Sequence, residues 1–181
     1  MTISAALRAL VQVAALALSA FLISACVDSA APILTDAKPV FGPTFRAQLY
    51  GLREGIAREP EQATYTWDGK RYAHAAGGAA DIKAFTAHPF EGGDYIVQSV
   101  SDERNRRTEY ALMHRLVEGV YLVTPVDEDD ADEPARAANC HERGKFSCRV
   151  ETPAQLFALA RASAAKRKES GGLVVRLPDR D

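Results

Sequence analysis

Hairpin signals constrain the fold of this sequence more than any other feature. In "ATYTWDGKRYAH", Asp68-Gly69 separates two runs of alternating character. Asp-Gly is a strong hairpin signal, because glycine accepts the positive φ that a type I′ turn requires. A two-residue loop would pair Trp67 with Lys70. Tyr65 would then lie opposite Tyr72, so we expect antiparallel strands joined by tight turns.

A second hairpin is indicated where Glu118-Gly119 separates "TEYALMHRLV" from "VYLVTPV". A two-residue loop there would set Leu116 opposite Tyr121. His114 would lie opposite Val123 as a lone histidine among apolar neighbours. That setting is more typical of a core or hydrogen-bonded histidine than of a catalytic base.

Two further segments differ in how clearly they can be interpreted. Residues 94–100, "DYIVQSV", alternate as a strand does, with Tyr95 and Val97 on one face. Residues 45–56 place apolar side chains at helical spacing, but Gly51 and Gly55 disfavour a helix. The second segment therefore stays open between helix and strand.

The clearest helix lies in "ETPAQLFALARASAAKRKESGG", residues 151–172. Thr152 fits the N-cap, Pro153 the first helical position and Gln155 the capping-box partner. The following "LVVRL" predicts a closing strand. We therefore predict an α+β fold: an antiparallel β-meander of about five or six strands with one α-helix near the C-terminus.

Aromatic side chains cluster on the first hairpin. In the register above, Tyr65, Trp67 and Tyr72 share one face of the two strands. Such a face is typical of core packing, and the alternative is a platform for a sugar or a peptide. These three residues are our candidate ligand-binding set.

The N-terminus has the plan of a secretory signal peptide. Arg8 is the only charged residue before Cys26, and Ala9 to Ile23 is apolar or small except at Gln12 and Ser19. A membrane-spanning helix needs roughly 20 predominantly apolar residues, and this run lies at the low edge of that range. We therefore expect residues 1–25 to be a leader that is removed.

The end of the leader, Leu22 to Cys26, reads "LISAC". It resembles the lipobox of bacterial lipoproteins, with Ile23, Ser24 and Ala25 before the cysteine. The resemblance implies cleavage before Cys26 and lipid attachment to its sulfur, so that the chain is anchored to a membrane without spanning it.

The residue after the cysteine bears on location. In lipoproteins of Gram-negative bacteria, aspartate directly after the cysteine tends to retain the protein in the inner membrane, and here Val27 follows. The resemblance thus favours the periplasmic face of the outer membrane. Residues 26–43 contain three prolines and several small residues and predict a tether. Residues 44–181 are expected to form one globular domain.

The cysteine count supports this interpretation. Three cysteines are an odd number for a secreted chain, but lipidation of Cys26 would leave the pair Cys140 and Cys148. An oxidising periplasm favours a disulfide between them. A zinc site with His141 as third ligand is the alternative, and it lacks a fourth ligand at a familiar spacing.

The net charge and the absence of known motifs exclude several classes of function. The formal net charge of −2 gives no electrostatic case for nucleic acid. No phosphate loop, dinucleotide fingerprint, HExxH or Gly-x-Ser-x-Gly motif occurs, so we predict no catalytic residue, metal or cofactor. The acidic run 127–133 predicts a solvated loop, with a cation site as the alternative. The run meets Pro134, so we expect no helix to follow it.

Three functions remain for the domain. The first expectation is a non-enzymatic envelope lipoprotein that docks an unknown periplasmic protein or envelope component. The second is a module that binds a small ligand or inhibits a lytic enzyme, using the aromatic hairpin or the sheet interior. A hydrolase is the third.

Overall fold

The structure is a computed structural model of the chain. It describes residues 27–53, 56–57, 60–74, 82–100, 107–143, 148–166 and 171–178. The expected leader, residues 1–25, and the expected lipidation site, Cys26, lie outside the described residues.

Strands are the main regular structure of the described chain. They are β1 (Val27–Ser29), β2 (Thr44–Arg53), β3 (Ile56–Ala57), β4 (Glu61–Trp67), β5 (Tyr72–His74), β6 (Ala84–Pro89), β7 (Tyr95–Val100), β8 (Thr108–Val117), β9 (Val120–Pro125), β10 (Glu142–Arg143), β11 (Cys148–Arg149) and β12 (Gly171–Arg176). Two α-helices, α1 (Glu133–Asn139) and α2 (Pro153–Lys166), lie between β9 and β12.

Eight of these strands close into an antiparallel barrel. The order is β2-β4-β5-β6-β7-β8-β9-β12, and β12 returns to pair with β2. Successive barrel strands along the chain pair with each other, and the last, β12, pairs with the first, β2. Closure pairs every edge, which removes the unpaired strand edges that an open sheet would expose.

The sequence-based fold class was wrong. We expected an α+β fold with an open meander of five or six strands and one helix, and the structure is a mostly β closed barrel with two helices. Within residues 45–56, whose spacing does not decide between helix and strand, the described part belongs to the long strand β2 and to the start of β3. Closure depends on β2 meeting β12, a pairing between distant parts of the chain that no local pattern records.

Both predicted hairpins form, but their registers differ from the predicted ones. In the first, Trp67 pairs with Tyr72, and Asp68 accepts hydrogen bonds from the Lys70 and Arg71 amides through its Oδ1. The loop is therefore four residues long. Gly69 has φ of +97°, which explains the need for glycine in this turn.

The second hairpin contains a β-bulge. Val117 pairs with Val120 as expected, but Arg115, rather than Leu116, pairs with Tyr121. The irregularity lies between Arg115 and Val117 and shifts the rest of β8 by one residue. A bulge of this kind changes which residues lie opposite each other on the two strands. Arg115 is therefore opposite Tyr121 and shares its face, and by ordinary alternation it also shares the face of Met113, which packs in the barrel interior.

The barrel interior is a close-packed aromatic core. Phe45 and Tyr65 are buried there with Tyr72 and Phe85, and the Tyr72 and Phe85 rings stack with centroids 5.1 Å apart. Small side chains at Ala47, Ala63 and Ala87 leave room for these rings. An eight-stranded barrel has an interior just wide enough to be filled by side chains or to hold one small ligand.

Helix α2 covers the outside of the barrel at β7 and β8. Its buried residues Leu156, Leu159 and Ala160 join a second cluster with Ile96 and Tyr110. The predicted capping box is confirmed: Thr152 Oγ1 accepts from the Gln155 amide, and Gln155 Oε1 accepts from the Thr152 amide. No helix in the described part of the chain is both long and apolar enough to cross a membrane.

The segment assigned to the tether packs against the domain from Val27 onward. Strand β1 pairs with the start of β8 and with β11, and Val27 is fully buried. Further along, Leu34 and Phe41 are buried as well. Phe41 packs in the barrel core, and Val27 and Leu34 pack in the cluster beneath helix α2. The described part of residues 26–43 therefore belongs to the packed structure.

Candidate functional site

One end of the barrel carries an open cavity of about 1030 Å³. It lies where β7 and β9 begin and where β8 and β12 end, beside the segment that leads into β2. We call this cavity the mouth. Its polar lining is provided mainly by Tyr95, Arg115, Tyr121 and Arg176, with Glu118 in the hairpin turn.

Phe41 forms the floor of the mouth. Its ring stacks on Phe45 with centroids 4.6 Å apart and meets the edges of Tyr95 and Tyr121 at 5.1 and 5.8 Å. The Phe41 amide donates to the Tyr72 hydroxyl at 2.8 Å. The floor is thereby fixed to the barrel core, and the mouth ends there.

Arg115 lines the mouth from the end of β8, directly before the bulge. Its amide donates to Asp94 Oδ1 at 3.0 Å, which fixes the backbone at the strand end. The guanidinium lies against Gly93, where an added Cβ would stand 3.2 Å from Nη2. Gly93 also has φ of +86°, so glycine both permits this turn and leaves space for the arginine.

Arg176 enters the mouth from β12, on the far side of Tyr121. It lies two residues after Val174, which is buried in the barrel core, so it shares the inward face of that strand. Its amide donates to the Gly119 carbonyl at 2.7 Å and joins the strand end to the β8–β9 turn. The exposed Arg115 and the half-buried Arg176 thus line the same end of the barrel.

Tyr121 lies within the electrostatic reach of both arginines. Burial raises the pKa of Tyr121, and the neighbouring Tyr95 adds to the rise, while the charges of Arg176 and Arg115 lower it. The net direction is upward, so the phenol is protonated at neutral pH and is able to donate a hydrogen bond. Glu118 acts on the same phenol and raises its pKa further.

The polar groups of the mouth have no partners among the described residues. The structure shows neither an ion pair nor a side-chain hydrogen bond for Arg115 or Arg176 in the described part of the chain. The hydroxyls of Tyr95 and Tyr121 likewise have no hydrogen bond there. The mouth therefore offers two cationic and two neutral donors to whatever enters it.

The predicted aromatic set lies in the core beneath the mouth. Tyr65 and Tyr72 are buried, and Trp67 is partly exposed and packs edge-on against Tyr72 at 5.2 Å. The Tyr72 hydroxyl donates to the Gly42 carbonyl, and Tyr65 donates to the Ile82 carbonyl. All three rings do share the inward face, as predicted. Ligand binding by this set stays a prediction.

The predicted disulfide between Cys140 and Cys148 is confirmed, with Cα atoms 5.2 Å apart. His141, the third ligand of the alternative zinc site, is exposed, and its Nε2 lies 3.4 Å from Glu151 Oε1. Among the described residues no group of three or more histidine, cysteine, aspartate or glutamate side chains is placed to hold a metal ion.

His114 pairs with an acid rather than with a nucleophile. Its Nδ1 lies 2.7 Å from Asp94 Oδ2, and Asp94 is nearly buried. The described residues show no serine, threonine or cysteine hydrogen-bonded to this ring. Because Asp94 also accepts from the Arg115 amide, the pair supports the strand end that carries the arginine.

The acidic run 127–133 leads directly into helix α1, so the expectation that no helix follows it was wrong. Asp132 is the N-cap, and its Oδ1 accepts from the Ala135 amide at 2.8 Å. Pro134 lies in the first turn of the helix, where a missing amide hydrogen costs nothing. Asp127 accepts from the Asp129 amide at 2.9 Å. These carboxylates thus serve as local caps.

Comparisons with protein-family models, with curated proteins and with solved structures find no match to this chain. The function must therefore be argued from the residues of the mouth.

The two arginines were not among the predicted site residues. Arg176 could have been found, because it continues the alternation of "LVVRL" at the inward position after Val174. Arg115 could not, since an unbroken alternation puts it on the face opposite His114 without showing which face is the interior. The bulge that sets Arg115 opposite Tyr121 is invisible in the sequence.

Proposed function

We propose that this chain is a lipid-anchored protein of the bacterial cell envelope whose barrel mouth binds a small molecule without transforming it. One observation supports the binding role most directly: four hydrogen-bond donors without described partners line one open cavity of about 1030 Å³. Ligand sites are concave and combine apolar surface with a few convergent polar groups. The mouth has both, with the Phe41 ring as its floor.

Hydrogen exchange of the full chain, monitored by mass spectrometry, tests the binding role. The protein is kept in its native membrane environment and is exposed separately to small organic acids, amines and neutral alcohols. At least one class is expected to slow amide exchange in residues 115–121 and 40–43, while helix α2 is unchanged. If no class slows exchange there, the binding proposal is wrong.

The anchoring role rests on the resemblance of Leu22 to Cys26 to a lipobox. We propose a diacylglycerol on Cys26, removal of residues 1–25, and a location on the periplasmic face of the outer membrane of a Gram-negative bacterium. Two or three acyl chains give stable attachment, whereas one chain gives only marginal binding.

Mass spectrometry of the membrane-extracted protein tests the anchor. The expected result is a chain that begins at Cys26 and carries the mass of its acyl groups. A Cys26→Ala variant should remain unprocessed and unacylated, whereas a Cys140→Ala/Cys148→Ala variant should be acylated normally. A Cys26→Ala chain that is still recovered as a mature, acylated protein would contradict the anchoring proposal.

Docking of another envelope protein, the first expectation from the sequence, stays a prediction. The geometry favours the small-molecule role, because the donors without partners lie within a cavity rather than on a flat surface. Inhibition of a lytic enzyme and hydrolysis have no specific support among the described residues.

A further inference from the structure

We infer that the mouth selects a small organic anion, a carboxylate or a phosphate ester, that carries an apolar body. This inference rests on the proposed binding role and specifies the chemistry of the ligand. It follows from the distribution of charge across the described molecule and from the apolar rim beside the two arginines.

Arg115 and Arg176 differ from the other arginines whose side chains the structure describes. Each of the others has a carboxylate or carbonyl partner; they are Arg46, Arg71, Arg107, Arg136, Arg149 and Arg161. The chain as a whole has more acidic than basic residues and a net charge of −2. Two guanidinium groups without partners in one cavity are therefore a local cationic site on an otherwise acidic protein.

The geometry of these donors suits a carboxylate or phosphate. Guanidinium groups bind such anions through charge-assisted hydrogen bonds, often two at a time. Arg115 lies opposite Tyr121 on β8. Arg176 lies two residues after Val174, which is opposite Tyr121 on β12, so all three side chains line one part of the mouth. The charges of both arginines also act on the Tyr121 phenol. An anion seated there would accept from both guanidinium groups and from the phenol.

The apolar body has a place on the rim. Leu116 and Val117, which the bulge and turn hold beside Arg115, are 49% and 61% exposed. They are two of the three large hydrophobic side chains that are exposed in the described part of the chain. They line the same cavity as the two arginines. A ligand with a charged group and an apolar group would therefore contact both.

Glu118 opposes anion binding from the same rim. Its carboxylate lines the mouth and has no ion-pair partner in the part of the chain that the structure describes. Removing this charge should strengthen the binding of an anion, whereas a residue with only a structural role would not improve binding when it is replaced. Replacing this carboxylate therefore tests the inference through an increase in affinity for the anion.

Matched probes test the inference by isothermal titration of the full chain in lipid nanodiscs. Benzoate, benzyl alcohol and benzylamine share one aromatic ring and differ in charge. Phenyl phosphate carries a phosphate ester in place of the carboxylate. Acetate and inorganic phosphate supply the anion without an apolar body. Benzoate or phenyl phosphate should bind at least about tenfold more tightly than the alcohol or amine, as expected for charge-assisted hydrogen bonds. Acetate and inorganic phosphate should bind more weakly than their phenyl counterparts.

Single-residue variants test which side chains bind the probe. Arg115→Gln and Arg176→Gln should each weaken binding of the anionic phenyl probe about tenfold, and the corresponding lysine variants should restore part of it. Glu118→Gln should strengthen it about threefold at low salt. Arg136→Gln, on helix α1 and outside the mouth lining, should leave it unchanged.

The two proposals fail differently. Equal binding of the alcohol, or unchanged affinity in both glutamine variants, would overturn the anion inference while the mouth could still bind a neutral ligand. Equal binding of inorganic phosphate and phenyl phosphate would overturn the requirement for an apolar body. Absence of any protected mouth peptide in the exchange experiment would overturn the binding role itself.

Discussion

Gln98 joins the N-terminal segment to the outside of the barrel. Its amide group pairs with Leu34 as a backbone strand would, accepting from the Leu34 amide and donating to the Leu34 carbonyl. It also donates to Thr86 Oγ1, which lies 2.9 Å from His88 Nε2. Because Thr86 accepts from Gln98, its own hydroxyl hydrogen is free to be donated to a neutral His88 ring.

The His88 side chain should make stability depend on pH. Burial lowers the pKa of His88, and the charge of Asp36 only partly opposes this. The unfolded chain therefore binds the proton more readily than the folded chain. Stability is complete above the ordinary histidine pKa of about 6.5 and is lost as the pH falls through that value toward the lowered one.

We expect the urea midpoint of the native chain to fall between about pH 7.5 and about pH 5.5, and to fall less in His88→Gln. His141→Gln, which removes an exposed histidine, is the control and should keep the dependence of the native chain. An unaltered pH dependence in His88→Gln would show that this ring does not carry the effect.

At the scale of elements, the junction of β9 and β12 depends on close backbone approach. An added Cβ at Gly171 would stand only 2.3 Å from the Val123 carbonyl oxygen, whereas at Gly172 it would be 3.5 Å from the Tyr50 carbonyl oxygen. The first distance cannot be accommodated without moving a barrel strand, and the second is an ordinary contact.

Gly171→Ala should therefore lower the free energy of unfolding by about 2–3 kcal/mol. Gly172→Ala, one residue along the same strand, should change it by less than about 1 kcal/mol. Urea denaturation of both variants measures the difference. Equal effects would mean that the strands adjust to the added methyl group.

The disulfide stabilises the connection between α1 and the following helix. It closes a loop with a sequence separation of 8, which the chain-entropy model values at about 2.5 kcal/mol. Cys140→Ala/Cys148→Ala should lose about that amount in denaturant unfolding. Reductant should lower the stability of the native chain to that of the variant and leave the variant unchanged; a native chain insensitive to reductant would contradict this.

Local patterns predicted some elements well and the closed barrel not at all. Strand β7 and helix α2 agree with the sequence prediction, because each carries its own alternation or its own capping residues. Strand β5 has three residues, too few to show a period. The mouth depends on two features that no local pattern records: closure of the barrel by β12 and the bulge that sets Arg115 opposite Tyr121.

At the scale of the whole molecule, Phe41 separates the mouth from the barrel core. Phe41→Ala should lower the free energy of unfolding by about 3–5 kcal/mol, as for other buried aromatic residues. It should also let an apolar dye enter the interior from the mouth. Phe157→Ala, on the half-buried outer helix surface, should cost less and bind no additional dye. If Phe41→Ala gains no dye binding, the ring does not close the interior.

The direction of β1 has a consequence for how the domain would stand on a membrane. This strand runs antiparallel to β8, with Asp28 opposite Glu109 and Ser29 opposite Thr108, so its N-terminal end leads toward Leu116 and Val117. Val27 is already buried, and the Cα of Cys26 is only about 3.8 Å from that of Val27. With Cys26 acylated as proposed, the lipid anchor would join the packed domain without a flexible linker, so the barrel would be held close to the bilayer surface.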